Sequence, residues 1–354
     1  MLPAGSGEAA MVRNRIASAA KSGVLLICAA FCLTGLSPSA AAGSRIVTFD
    51  PAGSIGTYPW RANRDGSIVG FWYDAAAKQT KGFIRAPDGG ITEFDHAGSK
   101  VTAAYGIDRS GVTTGYWTVD EGNHPGFIRT PDGTMTAFHA PGDDSGTFPI
   151  AITDRGVVTG AYYDLFSVPH GFLRSRSGKI KTFDVAGDSY GTSPTCIDRD
   201  GVVAGHWGDE NGLVHGFVRS TDGTIVSFDA PGAPGGTFPQ GMGADGTIAG
   251  YYADAGFVFH AFLRTAGGAL STFDVPGAAA TVANGINRKG RIAGYYLDGN
   301  SAAHGFVRSA DGKFRTFDVG GATGTYPNAI NDRGLVTGWY TTADENYHGF
   351  LRTD

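Results

Sequence analysis

An all-β chain, folded as a seven-bladed β-propeller of four-stranded blades, is predicted by three features of this sequence. The first is a repeat: Phe49, Phe94, Phe138, Phe183, Phe228, Phe273 and Phe317 open copies spaced 44 or 45 residues apart, a period that signals repeat architecture. The second is local pattern. Apolar residues alternate at period two, as in Phe83 and Arg85 or Ile91 and Glu93, β-branched and aromatic residues abound, and no spacing of three and four persists. The third is the match between the two ends of the repeat region. It opens on a fourth-strand segment, Ile46 to Asp50, and finishes on a third-strand segment ending at Arg352. Setting one beside the other completes the last blade and closes the ring, which leaves only short, protected sheet edges.

Residues 1–42 differ in composition from the rest. Arg13, Arg15 and Lys21 precede an apolar run from Gly23 to Leu36, and Ala40-Ala41-Ala42 follows, the pattern of a secretory signal peptide cleaved near Ala42. The run is short of the roughly 20 apolar residues of a membrane-spanning helix, so no span is expected after cleavage, and the product is expected to be secreted or periplasmic. Met11 offers a second start. Cys28 and Cys32 leave with the signal, so residues 43–354, read as one propeller domain, keep Cys196 alone. Without a disulfide, stability rests on the core, which a chain of this length can bury. Cys196 stands in a column with Gly106, Ala151, Gly241, Gly285 and Ala329, and reads as a small packing residue. The formal net charge is −5, and removing the leader makes it more negative. No basic field is present to attract nucleic acid.

Each copy contains four short strand-like runs, a to d, separated by turns. In the last copy Asn328 to Asn331 is strand a, Asp332-Arg333-Gly334 turns into strand b (Leu335 to Thr341), and His348 to Arg352 is strand c. Pro87-Asp88-Gly89 and Thr221-Asp222-Gly223 lead from c to d in their copies. Gly falls at fixed places in these turns, where left-handed backbone is expected. Fourteen of the 22 Phe occupy two columns, the FD position of strand d and Phe83, Phe127, Phe172, Phe217, Phe262, Phe306 and Phe350 of strand c. With c and d joined by a short turn, each pair is expected to face within its own blade.

Strand c carries a recognisable motif: His170-Gly171-Phe172, His215-Gly216-Phe217, His260-Ala261-Phe262, His304-Gly305-Phe306 and His348-Gly349-Phe350. This resembles the HAF repeat of bacterial extracellular proteins across the whole region after the leader. Most copies here read HGF, and the first two have Lys81 and Pro125 in place of His. The resemblance implies an exported repeat protein and brings no catalytic residues with it.

No metal site and no cofactor are expected. Strands about 4.8 Å apart place the third strand of a blade far from the axis, so the five histidines cannot converge on a zinc ion with ligands near 2.1 Å. They read as structural hydrogen-bonding groups. Arg85, Arg129, Arg174, Arg219, Arg264, Arg308 and Arg352 read as partners of carboxylates or carbonyls, and Asn63, Asp108, Asp198, Asn287 and Asn331 as Asx bonds to their own turns. No G-x-S-x-G, phosphate loop or H-E-x-x-H occurs. Carboxylates in the d-to-a and b-to-c loops, among them Asp144, Asp164, Asp209, Glu210, Asp254, Asp298 and Glu345, offer material for an acid and base pair without selecting one.

The informative column is the one that varies. Just inside strand a it reads Trp60, Tyr105, Ile150, Thr195, Gln240, Asn284 and Asn328. Trp60 and Tyr105 on one side with Gln240, Asn284 and Asn328 on the other suit a sugar ring, stacked and hydrogen-bonded. Apolar Leu165, Phe166, Phe257 and Phe259 in the b-to-c loops suggest a partner patch. The expectation is a monomeric, non-enzymatic module binding a glycan or protein on this loop face. A lyase or hydrolase acting on polysaccharide, and a structural surface protein, are the alternatives.

Overall fold

The structure, a computed structural model, describes residues 44–118 and 124–354; the expected signal peptide lies outside the described residues. Every regular element among them is a β-strand, and among these described residues no helix is long and apolar enough to cross a membrane.

β1 (Arg45–Phe49) leads, and the strands after it fall into antiparallel sets paired in chain order. β2 (Ser54–Ala62), β3 (Ile68–Asp74), β4 (Gln79–Arg85) and β5 (Ile91–Phe94) form one. β6 (Val101–Ile107), β7 (Thr113–Thr118), β8 (Gly126–Arg129) and β9 (Met135–Phe138) form the next. Then come β10 (Gly146–Ile152), β11 (Val158–Tyr163), β12 (Pro169–Arg174) and β13 (Ile180–Phe183). β14 (Thr192–Ile197), β15 (Val203–Gly208), β16 (Val214–Arg219) and β17 (Ile225–Phe228) follow. β18 (Gly236–Met242), β19 (Ile248–Ala253), β20 (Phe259–Arg264) and β21 (Leu270–Phe273) repeat the arrangement. So do β22 (Ala280–Ile286), β23 (Ile292–Leu297), β24 (Ala303–Arg308) and β25 (Phe314–Phe317). β26 (Gly324–Ile330), β27 (Val336–Thr341) and β28 (Tyr347–Thr353) come last, and β1 pairs antiparallel with β28, Arg45 opposite Thr353 and Phe49 opposite Gly349. The strand a read from sequence is too short: β26 begins at Gly324, four residues before Asn328.

The core lies between successive sheets, and here the expected Phe pairing is corrected. Phe228 stands opposite Gly216 across β16 and β17, so the two Phe columns do not face each other within a sheet. The fourth-strand ring packs instead on the third-strand ring of the next sheet. Phe183 meets Phe217, and Phe228 meets Phe262, edge to face at 6.1 and 5.9 Å between centroids. The third-strand rings are fully buried. The glycine of HGF follows from this packing: a Cβ at Gly216 would come within 2.7 Å of the Phe228 ring. Where the motif reads HAF, Ala261 faces Phe273, and Phe273 lies against Phe314, which in turn meets Phe306.

The arginine column completes the same interface. Each guanidinium stacks on the fourth-strand Phe of the preceding sheet, Arg219 over Phe183 at 4.8 Å and Arg85 over Phe49 at 5.0 Å, a cation–π geometry. Arg85, Arg129, Arg174, Arg219 and Arg264 also donate to a turn carbonyl, as Arg219 Nη1 does to Ser220 O at 3.3 Å, whereas Arg352 pairs with Asp354 at 2.7 Å. A threonine column, absent from the sequence-based expectations, fixes the crossing from one sheet to the next. Thr57, Thr102, Thr147, Thr192, Thr237, Thr281 and Thr325 are fully buried, and Thr237 Oγ1, for example, accepts from Ala230 N at 3.0 Å.

Candidate functional site: the bulge ring and the channel

The first strand of every set carries a β-bulge at one place. Register slips between Pro59 and Arg61, Ala104 and Gly106, Pro149 and Ala151, Pro194 and Cys196, Pro239 and Gly241, Ala283 and Gly285, and Pro327 and Ala329. Proline before the extra residue has no N–H to give to the ladder, so a bulge is a natural place for it. Opposite stands glycine: a Cβ on Gly160 would sit 2.1 Å from Phe148 O. The residues left over are Trp60, Tyr105, Ile150, Thr195, Gln240, Asn284 and Asn328, all half-buried. The variable column is thus the set of bulge residues, in mid-strand rather than at the strand entrance, where a bulge re-aims a side chain.

The structure brings several of them together. Trp60 and Tyr105 meet edge to face at 4.9 Å, and both lean on Phe71. Asn328 Nδ2 donates to Trp60 O at 3.0 Å, Asn284 Nδ2 to Pro327 O at 2.8 Å, and Thr195 Oγ1 to Pro239 O at 2.8 Å. These three bulge residues therefore tie their strand to the first strand of the following sheet. Gln240 holds the equivalent place in β18. At the far end of these strands the Asx bonds appear as expected: Asn63 Oδ1 accepts from the N–H groups of Asp65, Gly66 and Ser67. The amide adds a lateral tie, since Asn63 Nδ2 donates to Asp108 O and Asn331 Nδ2 to Asn63 O.

One residue past the bulges, consecutive pairs from all these first strands line a cavity of about 130 Å³, from Arg61 and Ala62 of β2 round to Ala329 and Ile330 of β26. Arg61 completes the column of small residues that includes Cys196. Its Nη2 donates to Thr195 O at 3.3 Å, on the first strand three copies further along. Cys196 is buried, and desolvation pushes its thiol up to about 11, with Arg61 pulling the other way. Sequence reasoning overlooked Arg61; the signal was one long cation in a column otherwise holding Gly, Ala and Cys.

The histidine column is held by carboxylates. His215 shares a hydrogen bond through Nδ1 with Asp229 at 2.9 Å, its Nε2 lies 3.6 Å from Asp209, and the ring stacks on Trp207. His170, His260 and His304 repeat the arrangement. This fastens the loop after the second strand to the start of the next crossing. The loop carboxylates are engaged from the backbone as well. Asp209, Asp254 and Asp298 accept N–H bonds from Leu213, Val258 and Ala302, which hold them below the ordinary carboxylate range. At the loop tips Leu165, Phe166 and Phe257 are exposed. Phe259 is not part of that patch: it is half-buried against Tyr251.

Sheets of this kind, repeated in chain order with a channel along their first strands, define a β-propeller. Solved structures of the same class match most of the chain. A streptogramin B lyase superposes with a TM-score of 0.60 at 18% identity, covering 87% of this chain and 97% of that one. Virginiamycin B lyase from Staphylococcus aureus gives 0.60 at 16% identity, covering 88% and 100%. The β-propeller domain of the Trilobed protease from Pyrococcus furiosus, described as having an open velcro topology, gives 0.62 at 8% identity, covering 84% and 95%. No family model and no curated protein matches the chain.

Proposed function

We propose that residues 43–354 form an exported, monomeric propeller of the HAF-repeat kind, with seven blades and β1 completing the last. It acts as a non-enzymatic module for a glycan or a protein, engaged on the face of the d-to-a and b-to-c loops. Trp60, Tyr105, Gln240, Asn284 and Asn328 are its contact residues. One observation carries the reading: a bulge repeated at a fixed place presents a side chain that differs from copy to copy, while proline or alanine precedes it and glycine stands opposite in every copy. Aromatic faces beside amides are the chemistry of carbohydrate recognition. The alternative, a lyase or hydrolase of polysaccharide, needs a carboxylate free to move a proton. Engagement of Asp209, Asp254 and Asp298 by backbone N–H groups and histidine favours binding over turnover.

A glycan array probed with wild type, Trp60→Ala and Asn284→Ala tests it, with circular dichroism confirming that each variant is folded. The expected result is a defined glycan class bound by wild type and weakened about tenfold or more by Trp60→Ala, about 1.4 kcal/mol. Binding that neither substitution alters would place the glycan elsewhere. Cleavage of the bound glycan would replace the module with an enzyme.

A further inference from the structure

Arg61 is a cation with no counterion among the described residues. It makes no ion pair with any of them, and its hydrogen bond to the neutral carbonyl of Thr195 engages one of five guanidinium N–H donors. The other residues lining the cavity are Gly, Ala, Ile, Met and Cys, with no carboxylate among them. Part of the Arg61 surface remains accessible, while the protein around the group desolvates it enough to depress its pKa. A partly desolvated charge without a partner is costly, and an opposite charge beside it offsets that cost.

Room for that partner exists at the same place. The six equivalent positions are Gly106, Ala151, Cys196, Gly241, Gly285 and Ala329, so only β2 places a long side chain at this position. A cavity of about 130 Å³ takes several water molecules at roughly 30 Å³ each, or one small anion. Guanidinium offers a planar fork that two oxygens of a carboxylate or phosphate fit in parallel. We propose that the channel is a binding site for a small oxyanion, gripped by Arg61 and enclosed by the first strands of the propeller. The proposal is independent of the glycan reading, because the cavity lies one residue beyond the bulge ring and shares no lining residue with it.

The test is the thermal midpoint of wild type, Arg61→Gln and Arg61→Lys, titrated with inorganic phosphate and separately with sodium acetate at constant ionic strength set by sodium chloride. A ligand that binds only the folded state raises the midpoint with concentration. Wild type is expected to show a saturable rise with at least one of the two anions, Arg61→Gln none, and Arg61→Lys, which keeps the charge without the fork, a smaller one. A response to phosphate alone or acetate alone identifies the class. Equal shifts in wild type and Arg61→Gln, or no shift in wild type with either anion, would overturn the proposal. If Arg61→Gln does not fold, wild type and Arg61→Lys decide it: identical titrations in those two contradict the bidentate grip.

Discussion

His206 occupies a second-strand position held in other copies by Phe71, Tyr116, Ala161, Tyr251, Tyr295 and Trp339. Its ring meets Phe238 at 5.7 Å, and its Nδ1 is out of reach of solvent with no hydrogen-bond partner. Burial alone pushes its pKa down to about 4. A histidine whose folded pKa lies below the unfolded value near 6.5 binds its proton in the unfolded state first. Its contribution is therefore present above about pH 6.5 and lost as pH falls toward 4. At about 1.4 kcal/mol per pKa unit, the loss between pH 7.5 and 4.5 is on the order of 2 kcal/mol. Urea unfolding of wild type and His206→Tyr at those two pH values isolates this group from the other titrating residues. The variant is expected to lose less stability on acidification by that amount, and parallel pH slopes would show that the imidazole is protonated in the folded protein.

Among elements, the decisive contacts are between sheets. Phe217 is fully buried against Phe183 of the preceding sheet, over whose ring Arg219 also lies. Phe217→Ala is expected to cost about 3 to 5 kcal/mol in denaturant melting, the range for a core aromatic; a change below about 1 kcal/mol would contradict this packing. The repeat, the strands and the glycine turns were legible in the sequence because period-two alternation and turn residues are local properties. The partner of each Phe was not, because hydrogen-bonded neighbours such as β16 and β17 follow from chain order, whereas ring contact depends on how one sheet stacks on another. The bulges left only a faint trace, proline before a variable residue, since a register slip is a relation between two strands. Arg61 is hard to single out from sequence because its column is defined by the small residues that repeat in it. Trp60 and Tyr105, neighbours in adjacent copies, meet at 4.9 Å.

At the scale of the molecule, the first and last sheets are tied from the bulges of their first strands to the turns that follow. Asn328 and Asn331 donate to carbonyls of Trp60 and Asn63, and Arg333 meets Asp65 at 3.1 Å. On the outside His348 shares a hydrogen bond with Asp50 at 2.8 Å, the bond that joins third and crossing segments within one stretch of chain in other copies. These contacts and the pairing of β1 with β28 support the seven-bladed, closed arrangement we propose, on which both the channel and the bulge ring depend. Hydrogen–deuterium exchange on the native protein addresses it most directly, by comparing residues 45–49 of β1 with residues 225–228 of β17, a fourth strand supplied by its own repeat. Closure predicts protection of the two segments within about tenfold of each other. Exchange of residues 45–49 at the rate of an unstructured chain, with residues 225–228 protected, would contradict it.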